Sequence, residues 1–151
     1  MRVQIMTGKM GIIFVVVSCC AGCIALSSRA NYDIELAVDK KSVARNFVIA
    51  CGDFTGEVYD TSINHKFIYT SISVAMPDTM LCSWSCAQGE IYSATIPVKS
   101  CLPQAFRSSR DTLVFTLTPS NSVDFSVGIW YEKYRQRRVP IGTFQGRLKG
   151  E

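Results

Sequence analysis

The residues best equipped for chemistry in this 151-residue chain gather in one stretch, Trp130-Tyr131-Glu132-Lys133-Tyr134-Arg135-Gln136-Arg137-Arg138. Lys133, Arg135, Arg137 and Arg138 supply charge for phosphates, and Trp130, Tyr131 and Tyr134 supply flat faces for unpaired bases. Four cations of this kind would give RNA binding a clear salt dependence. The plainer reading is a solvated strand end whose rings pack back on the core. Other chemistry is thinly provided. His65 is the only histidine, so Ser-His-Asp and Cys-His arrangements have little to build on. The HExxH zinc motif, the phosphate loop and the dinucleotide glycine pattern are all absent. Asp78, Glu90, Asp111 and Glu132 show no spacing that recommends a carboxylate pair. No cofactor is expected.

Cysteine is the other reactive residue type, and its reading depends on the N-terminus. Arg2 and Lys9 precede an apolar run from Met10 to Leu26, and no acidic residue occurs before Asp33. A basic start, an apolar middle and small residues after it describe a secretory signal peptide over residues 1–27. Cleavage is placed after Ser27, with Ala25 and Ala30 as other positions. An uncleaved membrane anchor is the alternative, its apolar run lying at the lower edge of what spans a bilayer. Ala21-Gly22-Cys23 also resembles the end of a lipobox, which would make the chain a lipid-anchored protein.

Removing residues 1–27 takes Cys19, Cys20 and Cys23 with it and leaves Cys51, Cys82, Cys86 and Cys101. An even count in an exported domain predicts disulfides, with three pairings open. A Cys51–Cys101 bridge would close a long loop and contribute on the order of 3–4 kcal/mol. A four-thiolate zinc site normally shows two short cysteine pairs, and one is present here, so no metal is expected. Of the 16 lysines and arginines, Arg2 and Lys9 leave with the signal, so 14 face 12 acidic residues. Net charge alone therefore does not make the mature chain a polyanion binder.

The surest structural element is a hairpin from Thr112 to Tyr131. Leu113, Phe115 and Leu117 alternate with polar neighbours, a Thr118-Pro119-Ser120-Asn121 turn follows, and Val123, Phe125, Val127 and Ile129 alternate again. Residues 28–46 read as a polar leader with a short helix around Ile34 to Ala44. The domain then covers residues 47–151, opening on a strand at Phe47–Cys51. A helix is predicted from Thr55 to about Tyr69, with Tyr59, Ile63 and Phe67 on one face and His65 within it. Ile72, Val74 and Met76 suggest a strand, Thr79–Gly89 a cross-linked loop, and Tyr92–Val98 another strand that Pro97 interrupts. A loop at Cys101–Ser109 leads into the hairpin, and a short strand and a loose tail follow Pro140. The expected class is α+β, one helix packed on a curved antiparallel sheet.

This order of elements resembles the microbial guanyl-preferring ribonuclease fold, and in particular the secreted ribonuclease-like effectors of powdery mildew fungi. The likeness is carried by Phe47-Val48-Ile49-Ala50-Cys51, Met76-Pro77-Asp78, the Tyr92–Pro97 strand, Asp111-Thr112-Leu113-Val114-Phe115 and Gly128-Ile129-Trp130-Tyr131-Glu132. It covers roughly residues 47–132. The resemblance implies that Asp78, Thr95, Thr112 and Glu132 stand where active enzymes have histidine, glutamate, arginine and histidine. Each such acid or base contributes about 10²–10⁴-fold, so their joint loss implies a scaffold without turnover. The family's usual bridge from the first cysteine to one near the C-terminus has no counterpart after Cys101. The function so implied is a secreted, monomeric, non-catalytic effector that binds a host protein or holds RNA uncleaved, free of the membrane once cleaved. An active secreted ribonuclease or other small hydrolase, and a membrane- or lipid-anchored surface protein with a small β domain, are the alternative expectations.

Overall fold

The computed structural model describes residues 31–59, 65–107, 109–133 and 135–150. It overturns the expected fold class. The chain forms two five-stranded sheets and one short helix, not a helix laid on a single sheet.

The strands are β1 (Tyr32–Val38), β2 (Ala44–Cys51), β3 (Phe54–Val58), β4 (Lys66–Ile72), β5 (Met80–Cys86), β6 (Ile91–Ile96), β7 (Thr112–Leu117), β8 (Ser122–Glu132), β9 (Arg135–Gln145) and β10 (Arg147–Leu148). The helix α1 is a single turn, Val98–Cys101. One sheet runs β4-β1-β7-β8-β9 and the other β10-β6-β5-β2-β3. All neighbours pair antiparallel except β1 and β7, which run parallel. The buried side chains of both sheets belong to one hydrophobic cluster, so the molecule is a β-sandwich.

The hairpin expected around Thr118–Asn121 is present as β7 and β8, with Leu113 opposite Val127, Phe115 opposite Phe125 and Leu117 opposite Val123. All six are buried, and the Phe115 and Phe125 rings stack at 4.9 Å. A register slip would drive this set into water. Asn121 closes the turn at φ 53°, a left-handed conformation that asparagine tolerates better than most residues.

Four expectations are corrected. The supposed polar leader contains β1, which is hydrogen-bonded on both sides, by β4 and β7. Tyr32, Ile34, Leu36 and Val38 point into the core, and their period of two outweighs the acidic residues placed between them. The helix predicted from Thr55 to Tyr69 is replaced by β3 and β4; its central residues 60–64 lie outside the described residues. Gly56 and the β-branched and aromatic residues of this stretch suit strands better than a helix. The expected loop at Thr79–Gly89 is mostly β5, whose Met80, Cys82, Trp84 and Cys86 alternate inward. Beyond Pro140 the expected short strand is present as the second half of β9, but where a loose tail was expected the chain forms β10.

The outer strand β3 is sealed by a side chain. The Tyr69 hydroxyl accepts a hydrogen bond from Glu57 N (2.7 Å) and donates to Glu57 O (2.8 Å). Its ring lies across Gly56, where a Cβ would come within 2.9 Å of it. An unpaired strand edge invites another chain to add to the sheet, and Tyr69 occupies that position on β3.

The other face of the first sheet carries a buried charge. Glu35 is 5% exposed, and its carboxylate meets Lys66 Nζ from β4 at 2.8 Å and the Arg138 guanidinium from β9. Arg138 must cross two strands, β8 and β7, to reach it. Beside it Gln136 Nε2 donates to Thr112 Oγ1 (3.0 Å), over the space a Cβ on Gly128 would fill. Because Glu35 has two counter-charges, Lys66→Ala or Arg138→Ala alone is expected to cost under about 1 kcal/mol. The double substitution leaves a buried carboxylate unpaired and is expected to cost about 2 kcal/mol beyond the sum, as read by a double-mutant cycle in urea.

Candidate functional site

The sequence-derived ribonuclease positions do not come together. Asp78 lies in the β4–β5 connection, its side chain 85% exposed and 3.1 Å from Lys99. Thr95 is exposed on β6 of the second sheet, in a polar recess with Ser93, Thr143 and Arg147. Thr112 is on β7 of the first sheet, on the face turned away from the second sheet and held by Gln136. Glu132 ends β8 and pairs with Arg135 at 3.5 Å. No shared concave face gathers the four, and the single helical turn of α1 cannot supply the expected helix. His65 opens the β4 end, its main-chain oxygen accepting from Val38 N (2.8 Å).

Most carboxylates are committed to holding the fold. Asp33 accepts from Ser71 N, Asp39 from Lys41 N, and Asp124 from the Thr143 hydroxyl. Glu90 accepts from the Tyr92 hydroxyl, while Glu35 and Glu132 are ion-paired. Asp111 is 1% exposed. It accepts from Arg107 N at 2.6 Å and from Trp130 N at 3.0 Å, and so fastens the loop before β7 to β8.

Among the described residues, Cys51, Cys82, Cys86 and Cys101 are separate thiols. Cys82 and Cys86 share strand β5, which places their α-carbons about 13 Å apart at roughly 3.3 Å per residue, well beyond the reach of a disulfide. Burial pushes the thiol of Cys82 far up, and likewise raises those of Cys51 and Cys86. Cys51 also lies 3.9 Å from the Tyr32 hydroxyl, a contact that offsets part of its shift. Inert, protonated thiols of this kind pack as small apolar side chains. Of these four, Cys101, half-buried on α1, is expected to react first with a thiol reagent at mild pH, and Cys82 only on unfolding. Raised native values also mean that the unfolded chain loses thiol protons at lower pH than the folded one. Stability is therefore complete below the ordinary thiol range and falls as pH rises above about 9. Replacing Cys82 with valine should flatten that fall in urea-unfolding curves taken across alkaline pH.

The aromatic and basic stretch is split between faces. Trp130 sits opposite Gln136, on the face where Gln136 and Arg138 reach across the sheet. Ile129 and Tyr131 belong to the other face, with Arg137 and Val139. The two rings therefore do not form one stacking platform. Arg138 is taken by Glu35 and Arg135 by Glu132. Lys133 is exposed in the β8–β9 turn, and Tyr134 lies outside the described residues.

On the second of these faces is a groove of about 760 Å³, walled by Pro103 and Ala105 of the connection after α1 and by Ile129, Tyr131, Arg137 and Val139 of the hairpin, with Gln136 also on its lining. Its floor is mainly apolar, and Tyr131 stands 56% exposed at its margin. The hairpin strands are 11 residues each, which gives the site a stiff base. The groove draws Tyr131 and Arg137 from the sequence-derived candidates. It leaves Trp130 and Arg138 on the opposite side. Pro103, Ala105 and Val139 were invisible in the sequence because nothing in their spacing ties the 102–110 connection to β9.

Among known proteins, the chain matches no family model, no curated protein and no solved structure. Among the described residues, no His, Cys, Asp or Glu cluster is placed to hold a metal ion, and no helix is long and apolar enough to cross a membrane.

Proposed function

We propose that this chain is an exported, non-catalytic binding module whose β-sandwich presents the β8–β9 groove to a protein segment. The observation that carries the reading is the groove itself: an open, largely apolar cleft on two long paired strands, with an exposed tyrosine at its rim. Clefts of this kind, with a few fixed polar groups, are where ligands settle. Tyrosine is also among the side chains that concentrate binding energy. The engagement of the carboxylates in hydrogen bonds and ion pairs within the fold supports a binding role over acid–base catalysis. A protein segment is favoured over RNA because the rings face opposite ways and Arg135 and Arg138 are already neutralised.

Export is supported by the basic and apolar N-terminal sequence. A photo-crosslinking amino acid at Tyr131, compared with one at the exposed Ile91 of the second sheet, tests the module in producing cells. A protein adduct formed at position 131 and not at 91 is the expected result. Equal adducts at both positions, or an adduct to nucleic acid at 131, would defeat the reading.

A further inference from the structure

We infer that the segment taken by the groove is acidic and extended, seating one apolar side chain between Tyr131 and Val139 and setting a carboxylate on Arg137. The inference rests on the binding-module reading and adds the chemistry of the partner. Two observations carry it.

The first is Arg137. It lines the groove, it is exposed, and among the described residues it has no carboxylate within ion-pair distance. Its neighbours along β9 differ in this respect, since Arg135 and Arg138 each hold a glutamate of the same chain. A guanidinium beside an apolar cleft is well suited to a carboxylate, which it can grip with two parallel hydrogen bonds.

The second is the charge of the surroundings. Asp111 draws the Arg107–Arg110 turn against β8 through its bond to Trp130 N. The Arg107 guanidinium is folded onto its own loop, donating to Gln104 O and Phe106 O. Arg107, Arg110, Lys133, Arg135 and Arg137 lie in the segments that flank the groove, where Asp111 and Glu132 are the carboxylates among the described residues of 103–111 and 129–139. Asp111 is buried there and spent on main-chain amides, and Glu132 is paired. Basic side chains outnumber acidic ones in those segments, so approach of an acidic segment is favoured and that of a basic one opposed. RNA phosphates would answer the same charge, but they would leave the apolar floor empty.

The test uses the full chain and four short labelled probes. One is a peptide of Glu, Ser and Gly with a single central Leu; two are the same peptide with Gln or Lys for Glu; the last is oligouridylate. Binding is read by anisotropy, and its place by the methyl signals of Ile129 and Val139. The expected result is that the acidic peptide binds at least about tenfold more tightly than its Gln form, a difference of 1.4 kcal/mol. Its binding should shift both methyl signals. Arg137→Glu should remove that binding and admit the Lys peptide, which no general loss of structure could produce. If the Gln peptide binds as well and moves the same signals, the acidic claim fails while the module stands. If oligouridylate is the tighter ligand and depends on Arg137, the partner class is wrong. Acidic peptide bound without moving either methyl signal overturns the placement. If no probe moves them, the inference fails and the module fails with it.

Discussion

Replacing Gly146 with alanine is expected to destabilise the domain by about 3 kcal/mol, at the upper end of what overpacking usually costs. The residue sits between β9 and β10, where the chain leaves one sheet for the other. A Cβ there would overlap the Trp84 indole and come within 2.7 Å of Asn121 O. Neither neighbour can retreat easily. Trp84 is 2% exposed, stacked on Tyr92 at 6.0 Å and set edge-on to Phe47. Asn121 O is main chain in the β7–β8 turn and accepts from Gly146 N at 2.9 Å. A new methyl must displace either the largest core ring or the turn that fixes the hairpin. Thermal unfolding should show a loss of roughly 10 °C for a domain of this size. Gly142→Ala is the control, because its Cβ would meet only Phe144, at 3.6 Å, and it should cost under about 1 kcal/mol. Trp84→Leu made in the Gly146→Ala background should cost less than in the parent chain, since the two groups compete for one space. Strict additivity of the pair would refute the packing account.

The same tryptophan shows what could be read from the sequence and what could not. The hairpin from Thr112 was legible because its alternation is long, strictly apolar and broken by an unmistakable turn. In β5 the alternating residues are Met80, Cys82, Trp84 and Cys86. Taken as cysteines, two of them suggest a cross-linked loop; taken as small buried side chains, they complete a strand pattern. Burial decided the matter, and burial is a property of the partner strands β2 and β6. In β1 the inward set is as regular, but Asp33 and Glu35 sit between, and Glu35 is tolerated only because Lys66 and Arg138 meet it. Those partners are 31 and 103 positions away, so no local reading could have supplied them. The helix predicted over Thr55–Tyr69 came from three apolar residues at helical spacing, a pattern too sparse to outweigh glycine and β-branched content.

The candidate site was half legible for the same reason. Tyr131 and Arg137 stood out by type, but strand alternation and the distant Glu35 determined which of their neighbours share a face with them. Pro103 and Ala105 enter only because a carboxylate ties their loop to β8.

That carboxylate gives the second large effect. Asp111→Ala is expected to cost about 3 kcal/mol, because it removes two hydrogen bonds to a charged acceptor and leaves the amides of Arg107 and Trp130 short of a partner. The loss should not be confined to stability. With Asp111 gone, the 102–110 connection loses its fastening to Trp130, and Pro103 and Ala105 no longer hold one wall of the groove. Asp111→Asn keeps one acceptor oxygen, so it should recover part of the stability and part of the wall. Tyr131→Ala makes the opposite separation, since its side chain is mostly exposed and its removal should leave unfolding nearly unchanged while weakening whatever occupies the groove. Urea unfolding followed alongside the Ile129 and Val139 methyl signals distinguishes the two. Asp111→Ala should shift both signals in the free protein and lower the midpoint; Tyr131→Ala should move the signals slightly and leave the midpoint in place. If Asp111→Ala lowered stability with the methyl signals unmoved, the loop would not be a wall of the site, and the groove would belong to the hairpin alone.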